Sequence, residues 1–151
     1  MKKIIALLLA VLLLCGCGEG AKELKDVNMA DLYTKLEGLP EMLELDATMQ
    51  LNLYGIRQED VKESVVSVSS DGLLADEIWL IKAVDAEAAE RIRTLADNRI
   101  KQKDAESITY SPEQNKVVKA AWVAVEGSYV FLICSPNASQ MRKTVESAIG
   151  K

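Results

Sequence analysis

The stretch Ala75-Asp76-Glu77-Ile78-Trp79-Leu80-Ile81-Lys82-Ala83-Val84 decides the fold. Ile78 to Ile81 are all large and apolar, so neither face of a strand built here would be polar. Such a strand is buried on both faces and belongs in the middle of its sheet. Upstream, Val66 and Val68 alternate with Ser67 and Ser69, the period of a half-buried strand. Ser70-Asp71-Gly72 between the two is a turn signal, so they are expected to form an antiparallel hairpin. Downstream, Asp85 is placed to cap a long helix over about 86–104. Ala88, Ala89, Ile92, Leu95, Ala96 and Ile100 form its buried stripe. Glu87/Arg91 and Asp97/Lys101 are spaced i,i+4, each pair worth about 0.2–0.5 kcal/mol, and read as a solvated helix face.

The same logic extends outward. Asn28 caps a first helix carrying Met29, Leu32, Leu36 and Leu39 at helical spacing, with Gly38 and Pro40 marking its end. Residues 40–55 are apolar without a clean period and read as a short helix or coil over the core, broken by Gly55. Residues 57–63 read as another helical turn. Ser111 and Pro112 fit the cap and first position of a short helix toward Lys119. A second hairpin pairs 121–125 with 128–134 across Glu126-Gly127, where Gly127 supplies the positive φ of a tight turn. A last helix begins at Pro136 and Asn137, buries Met141, Val145, Ala148 and Ile149, and ends at Gly150. The order predicts an α+β domain: a four-stranded antiparallel sheet of two hairpins, with helices packed mainly on one face. Trp79 and Trp122 lie in strands and are expected to fill an otherwise aliphatic core. Cys134 is expected to be a small buried hydrophobe at a strand end.

The N-terminus supplies location. Lys2 and Lys3 precede an apolar run from Ile4 to Leu14, too short for a membrane span of about 20 residues but right for a secretory h-region of about 7–15. Leu14-Cys15-Gly16-Cys17 resembles the lipobox of bacterial lipoproteins, with Cys15 standing where Ala, Ser or Thr is usual. The resemblance implies cleavage after Gly16 and a diacylglyceryl thioether on Cys17. Two acyl chains suffice for stable anchoring, at about 0.8 kcal/mol per buried methylene. The expected division is a signal peptide over 1–16, a lipidated cysteine and flexible polar tether over 17–27, and one globular domain over 28–151. The chain carries a formal charge of −5, and loss of Lys2 and Lys3 makes it two units more negative. An acidic domain of this kind is repelled by nucleic acid and by anionic lipid, so neither is an expected partner through charge.

The residue types present exclude much chemistry. There is no histidine, so a Ser-His-Asp triad, a Cys-His pair and a His-ligated zinc are ruled out. No phosphate-binding glycine loop and no Asp-x-Asp-x-Asp-Gly calcium loop occurs. Asn137-Ala138-Ser139 matches a glycosylation sequon by chance. With Cys17 lipidated, Cys134 has no partner for a disulfide in the mature domain. The remaining candidates are the paired carboxylates Asp76 and Glu77. As strand neighbours they are expected to point to opposite faces, a poor geometry for a shared catalytic site.

Leu53-Tyr54-Gly55-Ile56 followed by Glu59-Asp60-Val61, Ala75-Asp76-Glu77-Ile78 followed by Ile81-Lys82, and Gly127-Ser128-Tyr129-Val130 carry a family resemblance. Together with the lipobox they are similar to the domain-of-unknown-function family numbered 4358, small lipoproteins mostly of clostridia-like Gram-positive bacteria. The resemblance spans about 29–147, with Ser128 where Asn is commoner. It implies a location and a fold but no activity, and it singles out Tyr54, Gly55, Asp76, Glu77, Gly127 and Tyr129. Gly55 and Gly127 have a backbone explanation. Asp76, Glu77, Tyr54 and Tyr129 are the candidate binding residues. The expected function is that of a non-catalytic binding or interaction module, lipid-anchored at the extracytoplasmic face of the cell membrane. No catalytic residue, metal or cofactor is expected beyond the lipid on Cys17, and an envelope or membrane protein is the expected partner. The competing readings are a solute-capturing accessory of a transporter and a carboxylate-dependent envelope hydrolase.

Overall fold

The computed structural model describes residues 23–151. The expected signal peptide, Cys17 and the first part of the expected tether fall outside the described residues. Five strands form one antiparallel sheet: β1 (Met42–Glu44), β2 (Val61–Ser69), β3 (Glu77–Ala83), β4 (Trp122–Glu126) and β5 (Tyr129–Cys134). Their order is β1-β2-β3-β5-β4, which puts β3 in the centre as its unbroken apolar run demands. Both expected hairpins are present, with Val66 opposite Trp79 and Ala124 opposite Phe131. The fifth strand, β1, pairs Met42–Glu44 with Ser67–Ser69.

The helices are α1 (Met29–Tyr33), α2 (Ala47–Tyr54), α3 (Ala86–Tyr110), α4 (Pro112–Lys119) and α5 (Ala138–Ile149). They cover both faces of the sheet, which corrects the expectation of a mainly one-sided arrangement. On one face Trp79, Ile81, Val130 and Leu132 meet Ala88, Ala89, Ile92 and Ala96 of α3 and Val118 of α4. On the other, Ile78, Leu80, Phe131 and Ile133 meet Met29 and Leu32 of α1 and Met141, Val145 and Ile149 of α5. The reason lies in β3 and β5 themselves: both are buried along their length, so each face needs its own cover.

Local chemistry sets most element ends. Asn28, Asp46, Asp85 and Ser111 each accept an N–H of the first turn of the helix that follows. Gly55 ends α2 with φ 76°, in the left-handed region open to glycine. Gly127 turns the second hairpin at φ 61°. Residues 57–63 are not a helical turn throughout: a 3₁₀ turn spans Gln58–Asp60, and β2 already begins at Val61. The buried Asp60 accepts from Arg57 and from Arg91. Arg91 thus pairs with Asp60 rather than Glu87, and Asp97 pairs with Arg93 rather than Lys101. These two arginine contacts replace the expected i,i+4 pairs on α3.

The last residues of the expected tether are docked, not free. The Lys25 N–H donates to the Ile149 carbonyl at 3.0 Å. The Tyr129 hydroxyl accepts from the Val27 N–H at 3.1 Å and donates toward the Lys25 carbonyl at 3.2 Å. Asp26 pairs with Lys82, and Leu24 and Val27 pack on the α1/α5 side of the core. A Tyr129→Phe substitution should therefore cost about 1 kcal/mol. Amide exchange at Lys25 and Val27 should speed up well before that of β3, which hydrogen exchange would read directly. Equal protection in wild type and variant would contradict the latch.

Candidate functional site

The ordering of α3 against the sheet brings two cations to a buried carboxylate. Glu77 opens β3 and is fully buried. Arg99 donates to it from Nε at 3.0 and 3.1 Å and from Nη2 at 2.9 Å, and Lys103 donates from Nζ at 3.0 Å. The Trp79 indole N–H, two residues along the same strand face, completes the set at 2.9 Å. Burial pushes the Glu77 carboxyl upward, but the bonds and charges of Arg99 and Lys103 outweigh it and hold it below the ordinary 4.5. Glu77 is therefore an ionised structural acceptor with both oxygens occupied.

Tyr54 closes this cluster from α2. Its ring lies 4.9 Å from that of Trp79, and the Arg99 guanidinium sits over it at 5.3 Å. Burial first, and then the Glu77 charge, push the Tyr54 phenol well above its ordinary range, so it stays neutral. Of the four candidate binding residues, Tyr54 and Glu77 thus sit together, whereas Tyr129 lies at the other end of β5, buried and engaged with the docked tether. Tyr129 is a structural anchor for residues 25–27.

Asp76 differs from its neighbour. It directly precedes β3, and its carbonyl accepts the Ser69 N–H at 2.9 Å, which continues the β2/β3 ladder; Ala75 and Trp79 pack on the α3 face and Ile78 on the other, the alternation expected across Asp76 and Glu77. Asp76 lines a cleft of about 400 Å³ together with Arg99, Lys103, Tyr54, Leu53 and Leu74. Asp76 is only 4% exposed, yet its Oδ1 has no hydrogen-bond partner, alone among the buried side-chain polar atoms of the described residues. Leu53 and Leu74 on the cleft wall are exposed apolar side chains, as is Leu73 nearby in sequence. Gln102 and Glu106 of α3 also line the cleft and bond to each other at 2.8 Å. Among the described residues no group of three or more His, Cys, Asp or Glu side chains is placed to hold a metal ion.

Sequence reasoning found Asp76, Glu77 and Tyr54 but missed Arg99 and Lys103. The signal was present: the stripe Ala88, Ile92, Ala96 continues at 3–4 spacing into Arg99 and Lys103. Cations on a buried stripe require a buried anion opposite them.

Cys134 faces the same end of the sheet, paired with Glu77 in register. Burial pushes its thiol up from 9.0 to about 12. The folded state favours the neutral thiol, so this contribution to stability is complete below pH 9 and is lost as pH rises toward 12. The native protein should resist thiol reagents at about pH 8 and react only after urea unfolding. Stoichiometric labelling of the native chain would contradict this burial.

Comparison with known proteins places the chain in a family. The family model described as Domain of unknown function (DUF4358) covers residues 35–135, which includes all five strands and the Asp76 cleft. No curated protein and no solved structure matches the chain.

Proposed function

The chain belongs to the DUF4358 family, and we propose that it is a non-catalytic binding module, lipid-anchored through Cys17 at the extracytoplasmic face of the cell membrane. The cleft beside Asp76 is its binding site. The observation that carries the binding role is the cleft itself, about 400 Å³, lined by Tyr54, Asp76, Arg99 and Lys103 with apolar Leu53 and Leu74 exposed on its wall. The anchoring role is supported by the lipobox-like Leu14-Cys15-Gly16-Cys17 after an apolar run of h-region length. No helix among the described residues is long and apolar enough to cross a membrane.

The two ends of the sheet suit this division of labour. The tether docks beside Lys82 and Tyr129, whereas the cleft lies at Glu77 and Cys134, the other end of β3. At about 3.3 Å per residue β3 separates the two ends by roughly 20 Å. The segment from Cys17 to Lys25 can span at most about 28 Å. An anchor at Cys17 then keeps the docked end near the bilayer and presents the cleft outward.

A solute-capturing accessory of a transporter is the second reading, favoured by a cleft volume within the range of small-ligand sites. A carboxylate hydrolase draws no support from Glu77, whose oxygens are taken by Arg99, Lys103 and Trp79. The test is made in the native host with an alkyne fatty acid and a photo-crosslinking residue at Leu53. The wild type should take up the label and sediment with membranes, and Cys17→Ala should do neither. Leu53 should yield an adduct that a crosslinker at Lys119, outside the cleft, does not. A Cys17→Ala protein that stays labelled removes the anchor, and identical adducts from both positions remove the site.

A further inference from the structure

We propose that β4 is a docking edge for a second copy of this chain, the two β4 strands pairing antiparallel about a two-fold axis at Ala124. β4 is an outer strand of the sheet, bonded to β5 alone. Glu126 and Tyr129 flank the turn Gly127-Ser128 and stand opposite each other, the hydrogen-bonded pair that closes such a hairpin. Bonding alternates along the strand, so Trp122, Ala124 and Glu126 bond to β5, and the main-chain N–H and C=O of Val123 and Val125 face outward. Among the described residues nothing bonds to those outward groups.

Natural sheets blunt such an edge with lysine, proline, a bulge, a very short strand or a covering element. The opposite edge follows that rule, since β1 is three residues long. β4 does not. Trp122-Val123-Ala124-Val125 carries no charge and no proline, its register with β5 is unbroken, and every residue of the strand is only half-buried.

The edge is complementary to itself. With Val123 opposite Val125 of the second copy, every outward N–H and C=O finds a partner. A shift one way would set Val125 against Ala121, whose N–H is taken by the Val118 carbonyl, and a shift the other way would set Val123 against the turn at Gly127. Side chains agree with this register. Val123 and Val125 lie on the α3 face and meet as a β-branched pair. Trp122 lies on the α1/α5 face with the Arg142 guanidinium 5.5 Å from its ring, and it meets Glu126 of the second copy. Arg142 uses Nε on Glu146, and Glu126 uses Oε1 on Lys151, so the Arg142 Nη groups and the Glu126 Oε2 are left for a contact of opposite charge at each end of the seam.

A two-fold axis that joins antiparallel strands into one continuous sheet runs perpendicular to that sheet. Leu24 and Val27 pack on the α1/α5 face, whereas Arg99, Gln102 and Lys103 of the cleft belong to α3. Both docked N-terminal segments of the pair thus lie on one side and both clefts on the other. Such a pair suits chains held in one bilayer, an agreement that rests on the anchoring proposed above; the edge itself does not depend on it.

The test is cysteine crosslinking of the full chain in cells of the native host, with single Cys substitutions at each position from Trp122 to Glu126 and at Leu43 on the opposite edge. Diamide, a thiol oxidant that crosses membranes, is added, and dimer is read on non-reducing gels against the wild type with its own cysteines. At the axis the Cα atoms of Ala124 and its copy lie about 4.5 Å apart, within the span of a disulfide. Ala124→Cys is expected to give the highest dimer yield, with Leu43→Cys at the wild-type level. Adding Val125→Pro to Ala124→Cys removes an outward N–H without touching the ladder to β5, at an edge where proline is tolerated. The expression level needed for half-maximal dimer should then rise by about 10- to 100-fold, with the melting temperature of the purified chain little changed. The proposal is overturned if Ala124→Cys gives no more dimer than wild type, if the yield is level from 122 to 126 or matched at Leu43, or if Ala124→Cys captures a different protein in place of its own copy. These outcomes are read without the proline variant, so they hold should it fail to fold.

Discussion

Replacing Glu77 by alanine is expected to destabilise the domain by about 3–5 kcal/mol, because it strands two cations in a dry site. Arg99 and Lys103 have side chains 19% and 11% exposed, and among the described residues neither has another carboxylate in bonding contact. The loss should appear in urea unfolding as a lower midpoint at constant slope. A triple variant with Glu77→Leu, Arg99→Met and Lys103→Leu should recover much of it, since an apolar set removes the desolvation cost along with the pair. The pH dependence follows from the same contact. The Glu77 carboxyl lies below its ordinary 4.5 in the folded chain. Its contribution is complete above that value and is lost as pH falls through the lowered one. Glu77→Gln should therefore flatten the acid limb of the stability curve. An unaltered acid limb in that variant would mean that the ion pair does not couple to folding.

The second large effect is expected at Trp79. Its side chain is fully buried at the centre of β3, packs against Tyr54 and donates to Glu77. Trp79→Ala should cost about 3–5 kcal/mol from lost burial and the cavity left behind. Trp79→Phe keeps most of the packing and removes the N–H, so it should cost about 1.5–3 kcal/mol, the range of a hydrogen bond to a charged group. Trp122 offers the internal contrast. It is half-buried on the edge strand β4, stacked on Phe131 at 5.6 Å under Arg142. A Trp122→Ala change that cost as much as Trp79→Ala would contradict the assignment of β3 as the central strand.

Those two sites also mark what was legible in the chain. Ile78 to Ile81 announced a strand covered on both sides, and the sheet order places it so. The same residues should have ruled out a one-sided helix layer, because a face without helices would have left Ile78 and Leu80 in water. The strand β1 was hidden for a physical reason. It is three residues long, with Leu43 and Glu44 exposed, so no hydrophobic alternation marks it. α1 stops at Tyr33 although Leu36 continues its apolar spacing, because burial of Leu36 is met by irregular chain. α3 runs to Tyr110, past the expected end at Asp104, and its last turns are largely exposed.

The candidate site was half legible for a similar reason. Asp76 and Glu77 could be picked out, but not the cations that Glu77 meets. Glu77 faces α3 and takes Arg99 and Lys103, whereas the Asp76 Oδ1 is buried without a partner. Leu53, Leu74, Arg99 and Lys103 come from separate elements, and no local pattern ties them together before the sheet is assembled.

Glu77 as a structural acceptor and Asp76 as a buried carboxylate with an unpartnered Oδ1 stand one residue apart. Urea unfolding of Asp76→Asn beside the wild type, with no ligand present, tests that division most directly. An unpartnered buried carboxylate adds nothing to folding, so the variant should match wild-type stability within about 1 kcal/mol or exceed it. A loss of about 3 kcal/mol or more, like that expected at Glu77, would make Asp76 part of the fold's own ion network and contradict that division.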